Sequence, residues 1–190
     1  MILITTSHRA SPRVRSFVKD LASILPGAVK IQRGHKTLED LAIEAYTHNL
    51  KYILVINELW GNPSRISIYE VRAELSPELV KIADLVLKGV KLSRENPLAT
   101  RAYGVESLNV EYSKCISSDC FLLADILMRI FQPRIRVDPD VTIILEEDKY
   151  IVVKFQNVHG KLVGPLLRII KVVRSGESET ETGLQSKNRQ

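Results

Sequence analysis

The sequence predicts a mixed α/β protein, and three observations carry the prediction. Short apolar, β-branched runs alternate with stretches of helical period, the run around Lys51 to Leu59 has the composition of a central strand, and the pattern partly recurs after Pro77.

Met1 to Thr5 has the character of a buried strand. Ser11 followed by Pro12 starts a helix, with an N-cap hydroxyl and a proline whose missing N–H is not needed at the first helical position. Val14, Phe17, Val18, Leu21 and Leu25 fall on one stripe facing a core, and Pro26-Gly27 ends the helix. Ala28 to Gln32 is a second strand. Thr37 caps a second helix with Leu38, Leu41, Ala42 and Ala45 as its apolar face, and Asp40 completes an approximate capping box. Lys51 to Leu59 and Arg65 to Val71 are strands flanking a Gly61-Asn62-Pro63 turn.

After Pro77 come an apolar segment, Leu79 to Val90, a strand at Leu108 to Tyr112, and a helix from about Ser118 to Phe131. That helix carries Phe121, Leu122, Asp125 and Met128 and is expected to be more buried than the first. Three strands follow, at Val141 to Glu146, Tyr150 to Gln156 and Leu166 to Val173, with Glu146-Glu147-Asp148 expected in a solvated hairpin turn. The architecture is two similar α/β halves, roughly 1–90 and 91–174. Residues 175–190 have little to bury and are expected to form a disordered tail.

At 190 residues and 45% hydrophobic, the chain is long enough for one well-buried domain. A sequence pI of about 9.2 points to a polyanionic partner. The basicity is local. Residues 5–36 hold Arg9, Arg13, Arg15, Lys19, Lys30, Arg33 and Lys36 against Asp20 alone, more net charge than the +5 of the whole chain. Apolar stretches fall short of the ~20 residues that span a bilayer, so a cytoplasmic protein with no membrane partner is expected.

Arg9, Arg13 and Arg15 surround a helix N-terminus, where the partial positive charge favours acids instead. With no neutralising acid nearby in the sequence, free N–H groups, the Ser7 and Ser11 hydroxyls and guanidinium forks suit a phosphate. Arg33, His35 and Lys36 repeat the arrangement at the second helix start, and the two clusters are expected on one edge of the sheet, Lys19 extending the track. The bland alternative is a solvated helix face. Trp60, Tyr69 and Tyr103 are candidates for stacking on unpaired bases, Trp60 foremost.

The four histidines have no metal-binding spacing, and Cys115 and Cys120, which straddle the third helix start, are too few for a disulfide scaffold and lack partner cysteines. No phosphate-binding glycine loop or nucleophile elbow is present. No cofactor and no enzymatic activity are expected.

Thr5-Thr6-Ser7-His8-Arg9-Ala10-Ser11, Arg13, Arg15, Ser16-Phe17, Lys19-Asp20-Leu21, Arg33-Gly34, Leu38-x-Asp40-Leu41 and Gly61-Asn62-Pro63 together resemble the Brix domain family of ribosome-biogenesis proteins, in particular its single-domain archaeal members. Phe155-Gln156-Asn157 and Gly164-Pro165 extend the resemblance more loosely, with Leu162 and Leu166 replacing an acid and an arginine common in the family. The resemblance implies halves similar to the anticodon-binding domain of class II aminoacyl-tRNA synthetases. It also implies an RNA-binding role in pre-rRNA processing and subunit assembly, with precursor ribosomal RNA or guide RNA and other assembly proteins as partners. The alternative within the family is an interaction adaptor that binds assembly proteins without touching RNA.

Overall fold

The computed structural model describes residues 1–73, 75–132 and 139–176. The elements run β1 (Ile2–Thr6), α1 (Pro12–Ile24), β2 (Ala28–Lys30), α2 (Leu38–Thr47), β3 (Tyr52–Leu59), β4 (Asn62–Ala73) and β5 (Pro77–Lys91). After a 3₁₀ turn at Ser93–Glu95 come β6 (Leu108–Lys114), α3 (Ser118–Phe131), β7 (Val141–Glu147), β8 (Ile151–Asn157) and β9 (Leu162–Arg174). The expected tail lies, from residue 177 on, outside the described residues.

All nine strands form one sheet in the order β2-β1-β3-β4-β5-β9-β8-β7-β6. β1 runs parallel to β2 and β3, β6 runs parallel to β7, and every other neighbour is antiparallel. The order β1-β3-β4-β5 therefore has the same pairing senses as β6-β7-β8-β9, and the two runs meet where β5 pairs with β9.

Strand alternation sorts the apolar side chains to two faces. Ile2, Ile4, Leu54, Ile56, Ile66, Ile68, Leu85, Ile143, Val153, Phe155 and Leu167 face a core closed by α1 and α3. Leu3, Ile53 and Val55 face the other way and pack beneath Leu41 and Ala45 of α2. β1 and β3 are thus covered on both faces, which is why they are continuous apolar runs. α1 and α2 lie on opposite faces because their crossovers leave in opposite directions along the sheet. α3 shares the face of α1 although β6 and β1 point oppositely, so the β6-α3-β7 connection has the reverse hand, an arrangement found in only about 2% of such units.

Three expectations are corrected. Leu38 is exposed, because as the first residue of α2 it precedes the stripe that meets the sheet. In α3 the core is made by Cys120, Leu123, Ala124, Ile126 and Ile130, while Phe121 and Asp125 face solvent, so α3 is no more buried than α1. Glu146 and Glu147 end β7 rather than forming a free turn. Glu146 pairs with Lys114 and Lys154, and Glu147 accepts the amides of Ile116 and Ser117 at 2.7 Å, holding the start of α3.

Candidate nucleic-acid interface

α1 begins as its sequence dictates. Ser11 is the N-cap, its hydroxyl accepting from the Val14 amide at 3.3 Å and donating to the Gly61 carbonyl at 2.9 Å. The helix start is not bare, however. Glu58, at the end of β3, accepts the Ser11 amide at 2.6 Å, so an acid distant in sequence occupies the place expected for an external anion.

Arg13 is also neutralised. Its guanidinium is bidentate on Glu95, and Nη2 donates to the Val90 carbonyl at 3.0 Å, clamping α1 to the turn after β5. The hydrogen bond from Arg13 holds the Glu95 carboxyl below its usual range, against burial and with help from the Leu92 amide. Arg13 and Ser11 are therefore structural in this fold. Sequence alone hides both partners, because Glu58 and Glu95 arrive through strand pairing.

Arg9, in the left-handed region at φ 55°, is exposed. Arg15 is exposed and braced by a 2.6 Å bond from Nη1 to the Ala10 carbonyl. Lys19 lies one turn further along α1, exposed and without an ion pair among the described residues. Ser7 is tied by its amide to the Ile56 carbonyl at 2.8 Å.

The two basic clusters do meet. His8 Nδ1 donates to the Gly34 carbonyl at 3.0 Å, joining the loop after β1 to the loop before α2. The expected Thr37–Asp40 capping box is present, with Asp40 accepting the Thr37 amide at 2.8 Å and Thr37 Oγ1 accepting the Asp40 amide at 3.1 Å. Lys36 is paired with Glu44 at 2.7 Å. Arg33 is only 7% exposed, and its Nε and Nη1 have no hydrogen-bond partner among the described residues. Burial lowers its pKa from the usual guanidinium value, with Tyr69 and Asp40 acting in the opposite direction.

α1 separates two recesses. One, of about 190 Å³, is lined by Thr6, Arg15, Lys30, Gln32 and Arg33. The other, of about 670 Å³, lies between α1 and the 93–103 segment, where Lys19, Arg94, Arg101 and Tyr103 surround it. Tyr103 is 79% exposed, and its hydroxyl beside Arg101 raises the guanidinium's pKa. Arg94 and Arg101 escaped the sequence reading because they belong to an irregular segment placed beside α1 only by tertiary packing. Trp60 stands 89% exposed at the β3–β4 turn, and Tyr69 is partly buried against the α2 core.

Among the described residues no group of three or more His, Cys, Asp or Glu has the geometry to hold a metal. Cys115 and Cys120 form a disulfide with each other, which corrects the expectation that they lack a partner. The helix start they straddle brings their Cα atoms to 5.4 Å, within reach of a disulfide. No described helix is long and apolar enough to cross a membrane.

No family model matches the chain. A probable Brix domain-containing ribosomal biogenesis protein of Aeropyrum pernix is 36% identical over 178 residues, which cover 88% of this chain and 94% of that protein. A protein of the same description from Thermococcus kodakarensis is 42% identical over 95 residues, 50% of this chain and 44% of its own. The crystal structure of a probable ribosomal biogenesis protein from Aeropyrum pernix K1 superposes with a TM-score of 0.77 at 35% identity, covering 93% of this chain and 97% of that one. An archaeal Imp4-like protein shares the fold, with a TM-score of 0.67 at 22% identity over 92% of this chain and all of that one. The molecule is thus of the class of mixed α/β ribosome biogenesis proteins built on one large sheet with few helices. Within that class the chain belongs to the Brix domain-containing ribosomal biogenesis proteins.

Proposed function

We propose that the chain is an RNA-binding factor that holds precursor or guide RNA during pre-rRNA processing and ribosomal subunit assembly. The observation that carries this reading is the His8–Gly34 contact, which joins two basic loops into one edge bearing Arg9, Arg15 and Arg33. Lys19 continues that edge along α1 toward the cleft of Arg94, Arg101 and Tyr103. In this reading Arg9, Arg15, Lys19 and Arg33 face phosphates with Ser7 beside them, Ser11, Arg13 and Lys36 keep the surface in shape, and Trp60 or Tyr103 stacks on a base. The repeated pairing of β1-β3-β4-β5 and β6-β7-β8-β9 supports two similar halves, about 1–90 and 91–174; the comparison of each with a synthetase anticodon-binding domain rests on the family resemblance alone.

The test is fluorescence anisotropy with single-stranded RNA across a salt series, comparing the unmodified chain with an Arg9→Ala, Arg15→Ala, Lys19→Ala variant shown by circular dichroism to be folded. Each lost contact lowers the salt slope by about 0.7 for a single strand, so a slope reduced by about 2 is expected. Equal affinity and slope would remove this edge from the reading.

A second reading, an adaptor for other assembly proteins, is favoured by one feature. Ile144, Val152 and Leu166 alternate with core residues and so point to the sheet face opposite α3, which no described helix covers in that half. A protein interface there would respond little to salt, in contrast to phosphate contacts.

A further inference from the structure

We infer that the recess between β1, α1 and the segment joining β2 to α2 is a receptor for one phosphoryl group. This rests on the RNA-binding reading and gives that edge a specific chemistry.

The argument starts from Arg33. A buried guanidinium without partners is costly, because it gives up water and receives nothing in exchange. Arg33 is more than nine-tenths buried with Nε and Nη1 unpaired, and it lines the recess. Arg15 and Lys30 line the same recess, the remaining lining is Thr6, Val18, Ile31 and Gln32, and no carboxylate is among these residues. Asp40, the acid that acts on Arg33 from outside, is committed to the capping box of α2.

The walls are fixed by the sheet. Ile31 donates to the Ile4 carbonyl at 3.0 Å, and Thr5 Oγ1 donates to the Ile31 carbonyl at 2.9 Å, so the chain carrying Lys30 to Arg33 is pinned beside the carboxyl end of β1. The site thus lies beyond the carboxyl ends of the parallel strands β1 and β2, where open α/β sheets place ligands. Its 190 Å³ falls below the ~300–1,000 Å³ of pockets that take whole small molecules, which suits a phosphoryl group and leaves ribose and base outside. Three cations around it, with no carboxylate in the lining, suit the charge and the oxygens of a phosphoryl group.

The group can come from an RNA terminus, from an internal phosphodiester or from free phosphate, and the experiment separates them. Thermal melts in sodium phosphate are compared with sodium chloride at matched ionic strength for the unmodified chain, Arg33→Met and Lys30→Ala. Anisotropy is then measured with hexauridine bearing a 5′-phosphate or a 5′-hydroxyl. The expected result is a phosphate-specific rise in Tm of the unmodified chain that both variants lose. Arg33→Met should melt no lower than the unmodified chain in chloride, since it removes an unpaired buried charge. At least fivefold tighter binding of the 5′-phosphorylated probe, lost in Arg33→Met, assigns the group to an RNA terminus. Equal binding of both probes, weakened at least fivefold by either variant, assigns it to the backbone.

Absence of any phosphate effect, together with variants that bind both probes like the unmodified chain, overturns the receptor and leaves the RNA reading standing. A phosphate effect in a chain that binds neither probe keeps the receptor for free phosphate and overturns the RNA reading. Lys30→Ala, at an exposed position, keeps the test decisive should Arg33→Met misfold.

Discussion

Arg13 and Glu95, 82 residues apart, form a bidentate ion pair that ties the first turn of α1 to the 3₁₀ turn after β5. One of the three arginines expected to grip phosphates at this helix start is thereby engaged within the protein. Each side chain of the pair is about one-third exposed, so solvent screening limits its worth.

Arg13→Ala should cost about 1–2 kcal/mol, mainly from the stranded Glu95 carboxylate and the lost bond to Val90, while changing RNA affinity less than Arg15→Ala does. Urea melts and anisotropy on the two variants check this. The Glu95 carboxyl is held below its ordinary value, so its contribution is present above the unfolded-state pKa of about 4.3 and fades as pH falls through the lower folded-state value. The stability difference between the unmodified chain and Glu95→Gln should therefore shrink on going from pH 7 to pH 3.

Gly164 is where β9 passes under α1. A Cβ there would lie 2.5 Å from Cδ1 of the fully buried Ile24, and its φ of +65° disfavours any side chain. Gly164→Ala should destabilise by about 2–4 kcal/mol. Adding Ile24→Val, which deletes that Cδ1, should recover part of the packing share, since Cγ2 at 3.1 Å still crowds the new methyl, and leave the backbone share, a coupling that a double-mutant cycle measures.

The Cys115–Cys120 disulfide closes a short loop whose Ile116 and Ser117 amides are both held by Glu147. Reduction should lower stability by roughly 2 kcal/mol, the value the chain-entropy model gives for so small a loop. Thermal melts with and without reductant, repeated on Cys115→Ala/Cys120→Ala, check that the shift belongs to this bond.

Trp60 combines exposure with a φ of +52°, a backbone conformation that suits glycine. Trp60→Gly should raise stability by up to about 1 kcal/mol. If the indole stacks on RNA, the same change weakens single-strand binding by the ~1–3 kcal/mol of one stacked base, and anisotropy beside a thermal melt reads the two effects separately.

What the sequence determined is what short-range chemistry controls. Ser11-Pro12, the Thr37–Asp40 box and the span Ser118 to Phe131 all stand where capping and helical period placed them, because each depends on residues within a turn or two. The family was legible in the combination of motifs from Thr5 to Pro63. Only the tertiary structure decided which cations remain free. Glu58 reaches Ser11, Glu95 reaches Arg13 and Arg33 sinks beside Arg15 and Lys30 through strand pairing across tens of residues. Charge in a folded chain is a matter of distance and burial, and sequence separation encodes neither.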